Sequence, residues 1–352
     1  MPAEGAPAAR GRPTLSVVMP VFDGMAFLPR SLPPLAAQLG GELLELIVVD
    51  DGSRDASRSH AQSAGARVLE TGGRLGPAAA RNLGARSASG DAVLFVDADV
   101  VVHPDAVARV RDALAASDVV AVFGSYDDAP PEPGFPSRYM NLRHHFVHHA
   151  GAGEASTFWA GLGAVRRAAF VAAGGFDAAR YTRPAIEDIE LGYRLRDAGG
   201  RIELRPEILG THLKRWTWRG LLETDVRCRA MPWSRLLAAR PAAAADLNVA
   251  PAERGRAVLA AALASTLVAA LLGRAPVWLP LVAFALAVRA NRALFQFFAR
   301  HEGVPFALAA LLYHQLYYLY SAGCFVLAKL ERLIGASPAG SDAPSVGGGG
   351  RR

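Results

Sequence analysis

Five short apolar runs, separated by helical stretches, organise the first third of the chain and confine it to few folds. Residues 15–20 (LSVVMP), 43–50 (LLELIVVD), 66–70, 92–96 (AVLFV) and 119–124 read as buried strands. Residues 27–39, 55–65, 77–87 and 104–116 read as the helices between them, the first with an uncertain start at Pro33 and Pro34. Strands alternating with helices at this spacing predict an α/β fold, a doubly wound and mainly parallel Rossmann-like sheet. In such sheets ligands bind beyond the carboxyl ends of the strands. The acids Asp50, Asp51, Asp97 and Asp99 fall at those ends.

From residue 257 the texture changes. Apolar stretches at 257–272, 275–288 and 305–328 are of a length to cross a bilayer or nearly so, though a buried helical bundle has the same pattern. The arginines stand at their edges: Arg254 and Arg256 before the first, Arg289, Arg292 and Arg300 after the second. Positive residues mark the cytoplasmic side, so a hairpin of the first two stretches keeps the catalytic part cytoplasmic. Residues 291–300 (NRALFQFFAR) then read as an amphipathic surface helix. The expected layout is a tail at 1–13, a catalytic domain at 14–240, membrane helices at 256–334 with two to three spans, and a tail at 337–352. The expected location is a cell membrane, multi-pass. The first 13 residues lack the apolar centre of a signal peptide.

The net charge of +6 brings no nucleic-acid partner with it, because no basic run is interleaved with aromatics. Lys214 and Lys329 are the only lysines, and the arginine excess fits a surface facing anionic lipid. Cys228 and Cys324 are far apart, and neither a disulfide nor a Cys/His metal spacing is expected.

Asp97 and Asp99 flank Ala98 directly after a strand, where two carboxylates at i and i+2 can reach one hard cation. Mg²⁺ or Mn²⁺ held there can neutralise a leaving diphosphate. Asp50 and Asp51 can accept hydrogen bonds from a base and a ribose, and Arg81 is a buried arginine candidate on the 77–87 helix. Glu187 and Asp188 open an apolar-flanked helix. There they are either an ordinary charged first turn or the carboxylate that takes a proton from an acceptor hydroxyl.

The blocks SVVMPVFDG (16–24), VVDDGSRD (48–55), GPAAARNLG (76–84), VDADV (96–100), GLGAVRR (161–167), GGFD (174–177) and IEDIELGYRL (186–195) occur in that order. In this the chain resembles the family 2 glycosyltransferases of the GT-A fold, over residues 14–212. The resemblance implies a nucleotide-sugar donor, a lipid-linked or glycan acceptor and a divalent cation. It implies that Pro20, Phe22, Asp50 and Asp51 line the base and ribose pocket, with Arg81, Asp97 and Ala98 near the nucleotide. Asp97, Asp99 and His212 would hold the metal, with a structural role open for His212. Asp188 would be the catalytic base, with Glu187 supporting it. Gly161 and Gly163 would let a sugar approach closely, and Trp159 would stack on a sugar face or pack in the core.

Departures narrow this. Asp23-Gly24 stand where many relatives have Asn-Glu, leaving the base open. The Gln-x-x-Arg-Trp pattern of processive synthases is absent; residues 227–233 read RCRAMPW, and Arg227 and Arg229 suit either a diphosphate or the membrane surface. A non-processive, inverting transferase is expected. A nucleotidyltransferase lacks its glycine-rich basic loop after the first strand, and intact Asp97, Asp99, Glu187 and Asp188 argue against a non-catalytic membrane scaffold. His144, His145, His148 and His149 fall in two i, i+4 pairs, open to metal, to acceptor contact or to a plain polar helix.

Overall fold

The computed structural model describes residues 11–240, 247 and 250–335, so the expected tails lie outside the described residues apart from 11–13. In chain order the elements are β1 (Leu15–Val21), α1 (Leu28–Ala36), β2 (Glu45–Asp50), α2 (Ser57–Ser63), β3 (Arg67–Glu70), α3 (Pro77–Ser87), β4 (Ala92–Val96), β5 (Val100–Val102), α4 (Ala106–Ala113) and β6 (Val119–Tyr126). They continue as α5 (Phe135–Ala150), β7 (Gly153–Ala155), β8 (Leu162–Arg166), α6 (Arg167–Ala172), α7 (Glu187–Asp197), β9 (Arg201–His212), α8 (Trp218–Glu223), a π-helix (Thr224–Ala230) and α9 (Met231–Ala239). Four helices close the described chain: α10 (Pro251–Leu271), α11 (Trp278–Ala290), α12 (Arg292–Glu302) and α13 (Val304–Leu333).

One sheet runs in the order β3-β2-β1-β4-β8-β6-β9-β5, with β7 on β9. Its first four strands are parallel, as their alternation with helices requires. The second half is mixed: β8 inserts antiparallel between β4 and β6. Parallel strands have both faces covered, and alternate residues of β1 show how. Val17 and Met19 pack with Leu28, Leu32 and Leu35 of α1 and with Val107 and Val110 of α4. Val18 packs on the opposite face with Ala78 and Ala80 of α3, Phe170 of α6, and Leu191 and Leu195 of α7. That two-sided burial is why these strands read as unbroken apolar runs.

The apolar stretches form α10, α11 and α13, and the expected amphipathic segment is α12. Among the described residues only α10 is by itself long and apolar enough to cross a membrane, with a mean hydropathy of 1.4 and 6% of its apolar window buried. The α11–α12 pair, bent by 72°, adds at most one more, so the expected two to three spans reduce to one, or up to two. The 30-residue α13 carries Tyr313, His314, Gln315 and Tyr318 buried on one side. His314 faces the catalytic domain, where Tyr139 of α5 hydrogen-bonds its Nδ1 at 2.6 Å, while the Tyr318 hydroxyl donates to Asn291, between α11 and α12, at 2.9 Å. Phe298 of α12 packs on Tyr139 with ring centroids 5.8 Å apart. Cys228 and Cys324 are both free thiols.

Candidate active site

A cleft of about 280 Å³ opens beyond the carboxyl ends of β4 and β9. Asp97, Asp99, Arg81, Trp159, Glu187, Asp188 and His212 all line it, although up to 131 residues separate them in sequence (81 to 212). The loop between β4 and β5 turns because the Asp97 amide donates to the Gly161 carbonyl (3.1 Å) while the Leu213 amide donates to the Asp99 carbonyl (2.8 Å). These bonds tie the Asp-Ala-Asp segment to β8 and to the end of β9.

Arg81 is the cation of the acidic group. From α3 it donates Nη2 to Asp97 (2.6 Å) and Nη1 to Glu187 (2.9 Å), and it is 6% exposed. Glu187 also accepts the Ala185 amide (2.9 Å), which closes the turn leading into α7. Asp188, half-buried, accepts from the Ala160 amide at 3.0 Å and from the Ile189 amide at 2.8 Å. Burial first, then the charge of Glu187, push its carboxyl up to about 7, against the pull of the Ala160 amide and Arg81. A carboxyl tuned to that value can exchange a proton near neutrality.

The expected metal ligands divide. His212 Nε2 lies 3.5 Å from Asp99, but Asp97 is turned to Arg81 instead of joining them. Among the described residues no three His, Cys, Asp or Glu side chains converge on one point. Burial raises the Asp99 carboxyl, but the bond and charge of His212 and the charge of Lys214 outweigh it and hold it low. Burial pushes Asp97 up, only partly countered by Arg81. An ionised Asp99 beside an imidazole supplies two ligands, and Mg²⁺ or Mn²⁺ commonly completes its shell with substrate phosphates and water. The donor set fits such an ion.

Pro20, Phe22, Asp50, Asp51 and Ala98 lie outside the lining of this cleft. Asp51 does not line the cleft: its carboxylate accepts from Thr71 Oγ1 (2.9 Å), the Leu75 amide (2.9 Å) and the Gly76 amide (2.8 Å), fixing the loop between β3 and α3. Asp50 accepts from Arg58 (2.8 Å) and from the Ser53 amide (3.2 Å). Pro20 and Ala98 are partly buried at the strand ends and are likewise outside the cleft lining. Phe22 is 37% exposed and carries the Arg74 guanidinium 4.1 Å over its ring, on the loop that Asp51 anchors.

Gly161 and Gly163 do not line the cleft either. A Cβ on Gly161 would overlap the Trp159 indole, and one on Gly163 would overlap the Trp159 carbonyl and the Phe158 ring. The glycines make room for the protein's own aromatic wall. Gly163→Ala is therefore expected to cost about 1–3 kcal/mol, the usual range for overpacking. Chemical unfolding of the full chain measures this, and an unchanged midpoint would remove the explanation.

The sequence by itself marks only part of that wall. Tyr126, at the end of β6, stacks on His212 with centroids 4.2 Å apart and planes 7° apart, and meets Trp159 edge-on at 4.9 Å. His144 and His148 of α5 face the cleft, their rings 3.9 Å apart, while His145 and His149 pair on the other side. Burial pushes His148 down to about 4, and its Nδ1 donates to the Gly124 carbonyl (2.8 Å). Burial also keeps His144 neutral, and its buried Nε2 has no protein partner. Arg143, Lys214, Trp216 and Arg229 complete the side facing the C-terminal helices.

Residues 16–173 match the model of glycosyl transferase family 2. The chain is 37% identical over 133 residues to a validoxylamine A glucosyltransferase of Streptomyces hygroscopicus subsp. jinggangensis, a stretch that covers 34% of this chain and 31% of that one. It is 34% identical over 140 residues to the undecaprenyl-phosphate 4-deoxy-4-formamido-L-arabinose transferase of Pseudomonas paraeruginosa, covering 36% and 40%. Each match spans less than half the length of the curated relative. Among solved structures, the mannosyltransferase of Pyrobaculum calidifontis in complex with GDP-Man and Mn²⁺ superposes with a TM-score of 0.50 and 21% identity. That superposition covers 96% of this chain and 92% of that one, and the shared architecture is the GT-A fold.

Proposed function

We propose that the protein, whose residues 16–173 match the model of glycosyl transferase family 2, moves one sugar, with inversion, from a nucleotide-diphosphate donor to a membrane-held acceptor. The reading rests above all on Asp188, a carboxyl raised to about 7 in the same cleft as the Asp99–His212 pair. The exposed Phe22 ring beside Arg74 offers a stacking surface for the base. Asp99 and His212, with Lys214 beside them, face the diphosphate. A divalent cation bound by them would stabilise the charge that develops on the departing nucleoside diphosphate. Asp188 takes the proton of an acceptor hydroxyl as its oxygen bonds to the anomeric carbon and the sugar–phosphate bond breaks. Glu187 and Arg81 hold α7 and the β4 end in register, which keeps Asp188 and Asp99 at a fixed separation.

The membrane part rests on α10 and its neighbours. Val258, Leu267, Val268 and Leu271 of α10 are exposed, as are Leu272 just after it and Trp278, Leu281 and Val282 of α11. Arg256 donates to the Ala290 carbonyl at 3.0 Å, so the arginine-bearing ends of α10 and α11 lie together. That arrangement suits a cytoplasmic catalytic domain.

The test is a thermal-shift screen of UDP-, GDP- and dTDP-sugars against the detergent-solubilised full chain, with and without Mn²⁺. One donor is expected to raise the midpoint only with the metal, and Asp99→Asn to abolish that dependence. No shift with any donor under either condition would sink the reading. Recovery of the chain without detergent in a soluble fraction would remove its membrane part.

A further inference from the structure

Resting on the membrane part of that reading, we propose that α8 and the first half of α13 dock the catalytic domain on an anionic lipid surface, beside the spanning helices. Trp218 and Leu222, four residues apart on α8, are 51% and 42% exposed. Val304, Leu308, Leu312 and Leu316 repeat that spacing on α13 and are each more than half exposed. A spacing of four puts each set on one face of its helix. The two helices meet at aromatic contacts. The Trp218 ring centroid lies 5.4 Å from Tyr313 and 5.2 Å from Phe135, which in turn packs on Phe306 at 4.8 Å. Apolar side chains gathered in this way mark an interaction site, whereas scattered ones do not. The backbone that presents Trp218 is also fixed. The Trp216 amide donates to Ser137 Oγ at 2.8 Å, and Thr217 Oγ1 caps α8 by accepting the Gly220 amide at 3.1 Å.

The charges beside the patch select the partner. Between residues 215 and 227 the exposed charged residues are Arg215, Arg219, Glu223 and Arg227. Glu223 pairs with Arg227 at 3.3 Å. Arg215 and Arg219 have no acid partner among the described residues. An indole ring favours the headgroup level of a bilayer, and unpaired arginines beside it are drawn to anionic lipid. The patch also continues toward the helices already assigned to the membrane. Two residues after Leu316, the Tyr318 hydroxyl of α13 donates to Glu253 of α10 at 2.8 Å. One helix thus links the α8 surface to the foot of α10.

The position ties the surface to the cleft. Trp216 lines both the cleft and an open recess walled by Pro133, Pro136 and Trp218, with Arg215 and Glu132 as the recess's charged residues. Docking at α8 therefore brings the cleft to the lipid surface, where a membrane-held acceptor is presented.

Tryptophan quenching by phospholipids with brominated acyl chains reads this contact in the full chain reconstituted in nanodiscs. Trp278 of α11 reports the spanning part and Trp218 the docking surface. In the Trp278→Phe chain, quenching is expected in discs containing phosphatidylglycerol and less in phosphatidylcholine alone. Salt is expected to shrink that difference, and adding Trp218→Phe to abolish the quenching. Arg215→Gln with Arg219→Gln is expected to lower the anionic discs to the phosphatidylcholine level. A donor- and Mn²⁺-dependent thermal shift retained in these variants reports that they are folded. Quenching unchanged by Trp218→Phe overturns the proposal, and so does equal quenching in the two lipids. An unquenched Trp218 beside a quenched Trp278 overturns it as well, leaving the patch to a protein partner and the spanning helices in place. Absence of Trp278 quenching in the Trp218→Phe chain would instead undo the membrane reading beneath the proposal, so the two failures are read separately.

Discussion

Asp188→Asn is expected to lower turnover by about 10²–10⁴-fold, the range for loss of a general base, with donor affinity unchanged. The substitution is close to isosteric, and its side-chain oxygen can still accept the Ala160 amide that holds Asp188 at 3.0 Å. What disappears is a basic oxygen facing the cleft. The wild-type pH profile follows from the same group. Burial and then Glu187 raise Asp188 to about 7, and the Ala160 amide and Arg81 oppose them. The active form is the carboxylate, so kcat/KM falls with decreasing pH below about 7, tenfold per unit, and levels off above it. In Asp188→Asn that acidic limb flattens. Initial rates of nucleoside diphosphate release on both sides of neutrality measure both effects. Full turnover in the variant would remove Asp188 from the chemistry.

How far the sequence reveals this site depends on the distance over which its residues cooperate. The strands β1, β2 and β4 are legible because each is buried on both faces, so a local run carries the whole signal. β9 is not. It carries Arg201, Glu203, Arg205 and Glu207, whose side chains pair with one another and with Asp118, and the charges mask a strand that lies between β6 and β5. Asp50 and Asp51 are visible as strand-end acids. Their partners Arg58 and Thr71 and the 71–76 loop are set by tertiary closure, so the same residues anchor a loop instead of lining the cleft. Gly161 and Gly163 are visible as glycines, but what they make room for is settled only by the position of the Trp159 and Phe158 rings. The basic wall is the least legible part. A π-helix has no apolar period, and Arg143, Asp225 and Tyr320 meet only because α5, the π-helix and α13 pack together. The length of α13 is plain from its sequence, whereas its role as a polar brace appears only when Tyr139 and Asn291 are found against it.

Arg81→Met is expected to destabilise the protein by about 3–5 kcal/mol, the cost of breaking a buried ion pair from one side. Arg81 is the only basic side chain that hydrogen-bonds both Asp97 and Glu187 among the described residues, and Asp188 also feels its charge. Methionine keeps much of the volume beside Phe176, 5.7 Å from the guanidinium carbon, so the loss isolates charge from packing. The penalty arises because carboxylates are left buried without a cation. Two consequences follow. Arg81→Met with Glu187→Gln should recover part of the loss, since one fewer charge then needs compensation. Acidification should also help the single variant: carboxyls raised in the folded state bind more protons than in the unfolded chain, so stability rises as pH falls through their folded values. Arg81→Lys should fall between, because one ammonium cannot span both acids as a fork does. Thermal unfolding of the full chain at neutral and mildly acidic pH compares all three. A midpoint for Arg81→Met equal to wild type at both values would mean that the acids at this rim are solvated well enough to need no counter-charge.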